Sequence, residues 1–344
     1  MAIWLIRAGS HGEYEQKFFQ ENRVYVTWEC LDVNITKLKD RDALKAALAQ
    51  RSPDAKQRTV SNWASQIWPF VHEIKKGDLV VVPLKTQPAI QIGEVTGDYQ
   101  FNPDGPDPFF HWREVEWIGE AIPRSHFGQD LLYTFGAFMT ICRIQRNSAE
   151  KRILAMKSSG WKPERLSSVK KTTIGVDVDQ DTEDADLEEQ AHDQIAKLIN
   201  ARFKGHKLTQ LVEAILKAQG YTTYLSPEGP DGGVDILAGA GPLGFGQPQL
   251  CVEVKSGDTP IDRASVDKLI GAVTKFNAHQ GLFVSWGGFK TNVQKELAPS
   301  FFRMRLWTQK ELFEALFANY DRLDDEIKAE LPLKRIWTVA AQEE

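Results

Sequence analysis

Short apolar runs separated by polar turns dominate the first half of the chain. The segments "IWLIRA", "GDLVVVPL" and "AIQIGEVTGDYQF" combine β-branched residues with Gly and Asp, which is typical of β-strands. Helical periodicity interrupts them, and Asp40 and Asn62 stand where helix N-caps are expected. The pattern predicts strands at 3–8, 77–84 and 89–101 and helices at 40–51, 62–74 and 148–157.

The second half has a different order of elements. A long helical pattern is followed by a second helix with apolar residues at helical spacing, which Gly220 ends. Two strand-like segments come next, and then helix, strand and helix, an order that predicts a mixed sheet flanked by helices. The predicted helices are 188–203, 206–219, 264–278 and 308–320, and the strands are 233–239, 249–256 and 281–286.

An acidic segment divides these halves. Residues 176–194 hold nine acidic residues and no Lys or Arg. We predict a first domain at 1–165, an acidic linker at 166–190 and a second domain at 191–344. Without the segment the net charge of −5 becomes +4, because 38 of the 47 acidic residues then face 42 basic ones, which permits a polyanionic partner. An alternative role for the segment is competition for a basic groove.

Cysteine usage and hydropathy limit the cellular setting. Cys30, Cys142 and Cys251 form neither a metal-binding spacing nor an even disulfide set, which favours a reducing cytoplasm. No apolar run reaches the roughly 18 residues that span a membrane. The first residues lack the basic region and apolar core of a signal peptide. We therefore expect a cytoplasmic protein with no membrane partner.

Candidate chemistry lies where two predicted strands start and end. In "LCVEVKSG", Cys251, Glu253 and Lys255 share one face because strand side chains alternate. Asp235 starts the preceding strand, so pairing of the two strands would bring Asp235 and Glu253 together. Two adjacent carboxylates repel unless a divalent cation lies between them, and Mg²⁺ suits such a pair. Lys255 would orient or deprotonate an attacking water, or balance charge on pentavalent phosphorus.

Plainer interpretations exist for each motif. A Glu-x-Lys pair on a strand is often a surface ion pair worth under about 1 kcal/mol. Asp231, in "GPDGGVD", is expected to shape a turn rather than to bind metal. The segment "GAGPLG" has dinucleotide-binding spacing, but Pro242 and Gly244 prevent the helix that such a site needs. We predict a hairpin there and no dinucleotide cofactor.

The order Asp, connection, Glu-x-Lys resembles the PD-(D/E)xK nuclease superfamily. More narrowly, "GHKLTQLVEAILKAQGY", "GPDGGVDILAG" and "VEVKS" resemble the Mrr-type restriction endonuclease domain over about 195–320. The resemblance implies a restriction-endonuclease-like α/β fold, catalytic roles for Asp235, Glu253 and Lys255, and binding of Mg²⁺, or Mn²⁺ in its place, by the two carboxylates.

Two positions depart from that family. Many relatives have Gln at the position of Glu253, whereas Glu is the ordinary residue of the wider superfamily. Relatives often carry a Glu in the preceding helix, where this chain has Thr209. Glu213, one turn further on, is a possible substitute as a catalytic carboxylate.

The first domain is rich in Trp, since six of the ten lie before residue 120. The segment "NWASQIWPFVHEIKKGDLVVVPLKTQPAIQIGEV" resembles the EVE/YTH branch of the PUA-like superfamily, and the resemblance covers about 1–150. It implies an α+β domain with a curved sheet or barrel that holds a modified base among aromatic rings. Candidates for this pocket are Trp28, Asn62, Trp63 and Trp112.

The physics of base reading is consistent with that resemblance. Flipping a base costs a few kcal/mol, which stacking between aromatic rings can offset. We assign the other Trp residues of this region to the core. Four basic residues of the region are candidates for phosphate contacts, although each of them alone is more often an ordinary surface residue. The core residues are Trp4, Trp68 and Trp117, and the basic ones are His111, Arg113, Arg124 and His126.

Together the two resemblances predict a two-domain, modification-dependent DNA endonuclease of the type IV restriction kind, acting in defence against foreign or phage DNA. Cutting both strands needs two active sites, so we expect a homodimer, at least on DNA. Two alternatives remain open at this point: a non-cleaving reader of modified nucleic acid, and a defence nuclease gated by a small nucleotide ligand.

Overall fold

The computed structural model describes residues 1–136, 139–164, 187–227, 233–290, 292–293 and 298–337. The chain divides into two compact units, unit 1 with Met1–Asp193 and unit 2 with Gln194–Trp337. The division falls inside a helix, α6 (Leu187–Arg202). The last four residues of the predicted linker at 166–190 are helical, and Glu188 and Glu189 in the first turn of α6 complement its dipole. The linker prediction for 166–186 lies outside the described residues.

Unit 1 is built around an eight-stranded sheet. Its strands are β1 (Ile3–Ile6), β2 (Arg23–Val26), β3 (Leu79–Pro83), β4 (Ala89–Val95), β5 (Gln100–Phe101), β6 (His111–Trp117), β7 (Ile122–Pro123) and β8 (Ile141–Ile144). The order is β2-β6-β4-β3-β1-β8, with β5 paired to β6 and β7 paired to β4. The described pairs are antiparallel except for β1 and β3, which run parallel.

Helices cover both faces of this sheet. They are α1 (Glu15–Glu21), α2 (Arg41–Arg51), α3 (Gln57–His72), α4 (Gln129–Phe135) and α5 (Ala149–Ser158). Trp4 and Ile6 belong to a core cluster with α1, α2 and α3, whereas Ile3 and Leu5 belong to a second cluster with α4 and α5. Burial on both faces explains why β1 and β3 are continuous apolar runs without polar alternation.

The sequence patterns predicted part of these elements and missed α1, α4, β2, β6, β7 and β8. The two predicted N-caps had different outcomes. Asp40 caps α2 as predicted, since its side chain accepts a hydrogen bond from the Ala43 N–H at 2.9 Å. Asn62 is no N-cap, because α3 begins five residues earlier at Gln57 and Asn62 lies inside it. Buried Thr59 and Val60 extend the apolar face of α3 toward its start, and this packing decides where the helix begins.

Unit 2 contains the predicted mixed sheet. Its strands are β9 (Tyr221–Leu225), β10 (Ile236–Ala240), β11 (Gly246–Lys255), β12 (Gln280–Ser285) and β13 (Met304–Trp307). The order is β13-β12-β11-β10-β9. Strand β10 is antiparallel to both β9 and β11, whereas β11, β12 and β13 run parallel to one another. The sequence patterns predicted three of these strands and missed the outermost two, β9 and β13.

Helices pack on both faces of the second sheet as well. Besides the end of α6 they are α7 (His206–Ala218), α8 (Arg263–Lys275), α9 (Gln309–Asn319) and α10 (Asp325–Glu330). Val252 and Val254 join the core cluster of α7 and α9, and Cys251 joins the cluster of α8. The predicted alternation along β11 is therefore confirmed for these three residues. Among the described residues, none of the helices has the length and apolar character needed to cross a membrane.

Candidate active site

Asp235 and Glu253 adjoin the last paired residues of two neighbouring antiparallel strands. Strands β10 and β11 pair Ile236 with Val252, and the Asp235 N–H donates to the Val252 carbonyl at 2.8 Å. The pairing ends there, with Asp235 one residue before Ile236 and Glu253 one residue after Val252. The structure thus brings the two residues to the same end of the strand pair, as strand pairing was expected to do.

The Asp235 side chain is built into the end of the ladder. Its Oδ2 accepts a hydrogen bond from the Val254 N–H at 2.6 Å. Its backbone carbonyl accepts one from the Ser226 N–H at 2.9 Å. The carboxylate therefore takes the place of a backbone carbonyl just before β10 begins. This bond fixes the carboxylate beside the backbone of Glu253.

Glu253 and Lys255 form an ion pair that links a buried carboxylate to solvent. The Lys255 Nζ lies 2.8 Å from Glu253 Oε1. The Glu253 side chain is 10% exposed, whereas the Lys255 side chain is 47% exposed. Since the two residues alternate with buried Val252 and Val254, they share the face of β11 that the sequence pattern assigned to them. Lys255 is the last residue of β11.

A tight turn from the next strand holds the backbone after Lys255. The Trp286 N–H donates to the Lys255 carbonyl at 2.8 Å. At Gly287 an added Cβ would lie 2.5 Å from the carbonyl carbon of Asp258, so only glycine allows this approach. Sequence reasoning missed Gly287, although the Gly-Gly pair after the buried strand "GLFVSW" is a turn signal that pointed to it.

The structure does not bring Glu213 to this site. Its Oε1 accepts a hydrogen bond from the Thr223 hydroxyl at 2.7 Å and lies 3.0 Å from Lys217 Nζ. Thr223 on β9 faces Ala238 on β10, three residues along from Asp235. Glu213 is therefore placed beside the middle of the sheet rather than at the strand ends.

Thr209 lies one helical turn nearer to the start of α7 than Glu213. It is buried, with 3% exposure. The start of α7 is close to the end of β11, because the Gly205 N–H donates to Ser256 Oγ at 3.1 Å. The helix position closer to the candidate site thus holds a hydroxyl group instead of a carboxylate.

The two carboxylates suit a hard divalent cation. Carboxylate oxygens are preferred ligands of Mg²⁺, which commonly takes one or two from the protein and fills its other positions with water and substrate phosphate. No group of three or more His, Cys, Asp and Glu is placed to hold a metal within the described parts of the chain. Asp235 and Glu253 with an adjacent ammonium group therefore fit a Mg²⁺ that is shared with a phosphate. Asp231 lies outside the described residues.

The glycines on either side of β10 have structural roles. Gly233 has a φ of 85°, a left-handed conformation that favours glycine, and it leads into Asp235. At the other end, "GAGPLG" connects the antiparallel strands β10 and β11. The Gly244 N–H donates to the Gly241 carbonyl at 3.1 Å. This segment is the predicted hairpin and opens no helix.

In unit 1 two of the pocket candidates are held by local contacts. Trp112 lies on β6 opposite Tyr25, and the Arg23 guanidinium lies 4.8 Å from its ring centroid. Asn62 is exposed, and its Oδ1 accepts a hydrogen bond from the Gln66 amide. Both side chains have accessible surface, so they remain candidates for contact with a ligand.

Trp28 and Trp63 are partly buried against the first core cluster. No ring–ring contact within the described residues joins Trp28, Trp63 and Trp112, so the aromatic cage stays a prediction. A surface cavity of about 490 Å³ is lined instead by residues of β1, β8 and α5. Of the Trp residues assigned to the core, Trp4 is 2% exposed, and Trp68 and Trp117 are partly buried against the same cluster.

His111 belongs to the interior of unit 1. It is 0% exposed, with Nε2 2.6 Å from the Leu31 carbonyl oxygen and Nδ1 2.8 Å from the Tyr99 hydroxyl. Nε2 therefore carries the proton and donates, and Nδ1 accepts from Tyr99. Burial lowers the pKa of His111 to about 4, although the bond to Leu31 acts in the opposite direction. A neutral, enclosed imidazole is not available to phosphate.

The three other basic residues expected to contact phosphate are also engaged inside unit 1. Arg113 is 4% exposed and donates to the carbonyls of Phe70 and Val71 at 2.8 Å each. His126 Nδ1 lies 2.8 Å from the Trp161 carbonyl oxygen. Arg124 pairs with acidic side chains. Burial removes His111 and Arg113 from surface phosphate contact, whereas Arg124 and His126 are only partly buried and are held by partners within unit 1.

Comparisons with known families separate the two parts of the chain. A family model described as a restriction endonuclease (Mrr_cat) matches residues 200–316, a range that contains Asp235, Glu253 and Lys255. This match confirms the restriction-endonuclease resemblance of the C-terminal region. A second model, described as a domain of unknown function (DUF8426), matches residues 4–132. The EVE/YTH resemblance of that region therefore stays a prediction.

Two solved structures are distantly similar to the chain. One is described as "DNA modification-dependent restriction endonuclease AspBHI", with 14% identity, a TM-score of 0.33, and coverage of 81% of this chain and 74% of that one. The other is "MspJI Restriction Endonuclease in Complex with 27-mer Oligonucleotide", with 13% identity, a TM-score of 0.31, and coverage of 74% and 64%. Similarity at these scores establishes neither a fold nor a function. No curated protein matches the chain.

Proposed function

We propose that the protein is a modification-dependent DNA endonuclease of the type IV restriction kind. The observation that carries this proposal is the placement of Asp235 and Glu253 at the same end of the paired strands β10 and β11. There Asp235 Oδ2 accepts from the Val254 N–H at 2.6 Å, and Lys255 Nζ lies 2.8 Å from Glu253 Oε1. The restriction-endonuclease family match over the same residues supports it. The reaction is hydrolysis of a phosphodiester bond, in which water attacks phosphorus and the bond to one ester oxygen breaks.

Each residue of the site has a proposed part in that reaction. Asp235 and Glu253 would hold Mg²⁺, or Mn²⁺ in its place, and the cation would stabilise negative charge on the phosphate. Asp235 is oriented for this by its bond to the Val254 N–H. Lys255 is 47% exposed and would orient the attacking water or balance charge on phosphorus.

The proposal gives unit 1 the role of recognising a modified base. Its support is the set of aromatic and amide side chains with accessible surface, Trp28, Asn62, Trp63 and Trp112, together with the EVE/PUA resemblance of the sequence. One methyl group contributes about 1–3 kcal/mol of discrimination in a fitted pocket. We further propose the domain limits 1–165 and 191–344, a homodimer on DNA that supplies two active sites, and a role in defence against phage DNA.

Plasmid cleavage tests this function. Plasmids that carry modified bases and unmodified plasmids of the same sequence are incubated with the protein in Mg²⁺ or in EDTA. We expect linear or nicked product only from modified plasmid with Mg²⁺. Cleavage in EDTA would contradict the metal assignment, and equal cleavage of both plasmids would contradict modification dependence. Metal-independent binding without any cleavage would favour the non-cleaving reader instead.

A further inference from the structure

Five charged side chains of unit 1 converge near one end of its sheet. Arg7 follows β1 and Lys85 follows β3, and because these strands are parallel the two residues leave the sheet at the same end. Arg124 follows β7. Glu189 and Asp193 lie four residues apart on the first turns of α6, within unit 1. We call these five residues the ion-pair cluster.

In the ion-pair cluster, two carboxylates are bound by three cationic side chains. Arg124 donates from Nε and Nη2 to the two oxygens of Asp193, at 2.8 and 2.6 Å. The same Nη2 lies 3.0 Å from Glu189 Oε1. Glu189 Oε2 lies 3.0 Å from Lys85 Nζ and 3.4 Å from Arg7 Nη2. One carboxylate therefore contacts all three cations, and the other fills the fork of Arg124.

Three members of the cluster are largely enclosed, whereas the Lys85 side chain is 31% exposed. The side chains of Arg124, Glu189 and Asp193 are 13%, 10% and 8% exposed. Although burial raises the pKa of Glu189, the charges of Arg124, Arg7 and Lys85 lower it to about 2. Three cations face two carboxylates in this cluster. Removing the carboxylates without replacing them would leave buried charges unpaired, which is costly.

We propose that the ion-pair cluster is a binding site for a DNA backbone phosphate, and that the first turns of α6 occupy it when DNA is absent. An Arg fork beside a second cation binds phosphate oxygens in the same bidentate way that it binds a carboxylate. Exchange of Glu189 and Asp193 for phosphate keeps the cations paired. The choice of DNA rests on the function proposed above. The acidic start of α6 thus acts as a built-in competitor that weakens DNA binding.

Removal of one competing charge tests the inference. Glu189→Gln keeps the size of the side chain and its hydrogen-bonding oxygen but weakens its hold on three cations. We expect DNA affinity to rise about tenfold, equivalent to ~1.4 kcal/mol. We also expect the slope of log affinity against log salt to steepen by about 0.9 for each additional phosphate that the protein neutralises. The readout is fluorescence anisotropy of a labelled DNA duplex in EDTA, which is independent of cleavage.

Glu188→Gln is the matched control, because Glu188 is exposed on the same helical turn and its replacement changes the net charge equally. Circular dichroism establishes that both variants are folded. Equal DNA affinity and equal salt slope for the Glu189→Gln and Glu188→Gln variants would overturn the inference. Because no cleavage is measured, that result would leave the proposed nuclease function standing, and a failure to cleave would leave this inference standing.

A second measurement uses the unchanged protein and does not depend on variant folding. Hydrogen exchange of the backbone amides at 187–193 is followed with and without the same DNA duplex. Faster exchange on DNA addition is expected if phosphate displaces the first turns of α6. Unchanged or slower exchange would contradict displacement.

A lone phosphate could in principle fill the same site, so a separate arm uses adenosine monophosphate at the same ionic strength. We expect it to leave exchange at 187–193 unchanged, since a single phosphate lacks the counterion release that favours a DNA strand. The assignment to DNA would be overturned if adenosine monophosphate accelerated exchange at 187–193 and DNA left it unchanged.

Discussion

Two ion pairs near strand ends, one in each unit, differ in how far their side chains are exposed to solvent. In unit 1, Arg124 and Glu189 are 13% and 10% exposed, so both partners are enclosed. In unit 2, Glu253 is equally buried at 10%, but its partner Lys255 is 47% exposed. The partner of the buried carboxylate is thus open to solvent in the second pair and enclosed in the first. A solvent-exposed cation can contact a substrate directly, whereas an enclosed cation can do so only after its carboxylate partner has moved away.

Asp235→Asn should show the largest effect in this comparison. Asparagine still accepts a hydrogen bond from the Val254 N–H, so the end of the ladder is kept, but the charge that would hold the cation is lost. We expect the cleavage rate to fall by about 10²–10³. Single-turnover cleavage of modified plasmid measures it. Wild-type cleavage by a folded Asp235→Asn variant would remove Asp235 from the active site.

Arg113→Met tests whether the enclosed charges of unit 1 are structural. The change removes donors to the carbonyls of Phe70, Val71 and Gly97 and leaves these acceptors buried. We expect the free energy of unfolding to fall by about 4 kcal/mol, measured by urea denaturation. Lys76→Met is the control, since Lys76 is exposed and should change stability by about 0.5 kcal/mol or less. Equal stability of both variants would contradict the structural role of Arg113.

The stability of unit 1 should also depend on pH through His111. Its pKa of about 4 lies below the ordinary value of 6.5, so the folded state binds fewer protons than the unfolded state between these values. Stabilisation is therefore complete above pH 6.5 and is lost as the pH falls toward 4, by about 3 kcal/mol. Glu189, with a pKa of about 2, contributes to the loss only below about pH 4.5.

Urea denaturation of the wild type and of a His111→Gln variant across this range measures the effect. Glutamine keeps hydrogen-bonding groups near Leu31 and Tyr99 but does not titrate. We expect a shallower decline between pH 6.5 and 4.5 in the variant. Parallel curves would show that His111 does not control the decline.

Glu213→Gln should have the smallest effect on cleavage. Glu213 is bound to Thr223 and Lys217, away from the two candidate carboxylates. We expect the cleavage rate to stay within about twofold, or ~0.5 kcal/mol, of wild type. The same single-turnover assay applies, and a large loss would restore Glu213 as a catalytic carboxylate.

The site in unit 2 was largely predictable from sequence because it depends on local rules. Alternation along β11 places Glu253 and Lys255 on one face, and a hairpin brings Asp235 to the same end of the strand pair as Glu253. The family match over the same residues agrees with that prediction. The position of Glu213 relative to the strand ends was not predictable, because helical spacing does not determine which part of the sheet each turn of the helix contacts.

The interior of unit 1 was harder to predict because distant strands create it. Trp112 meets Tyr25 only after β2 pairs with β6, and His111 is enclosed by Leu31 and Tyr99. A signal was nevertheless present in "HWREVEW". Period-two alternation puts His111 and Arg113 on the face of apolar Val115, which is the buried face.

The most direct test of the account is the Lys255→Ala variant, with Lys275→Ala as a control at the last turn of α8. Cleavage of modified plasmid with Mg²⁺ and duplex binding in EDTA are measured for both. We predict that Lys255→Ala binds DNA like the wild type but cuts it more slowly by about 10²–10⁴. Lys275→Ala is expected to bind and to cut DNA like the wild type. Undiminished cutting by Lys255→Ala would contradict the assignment of Asp235, Glu253 and Lys255 as the active site.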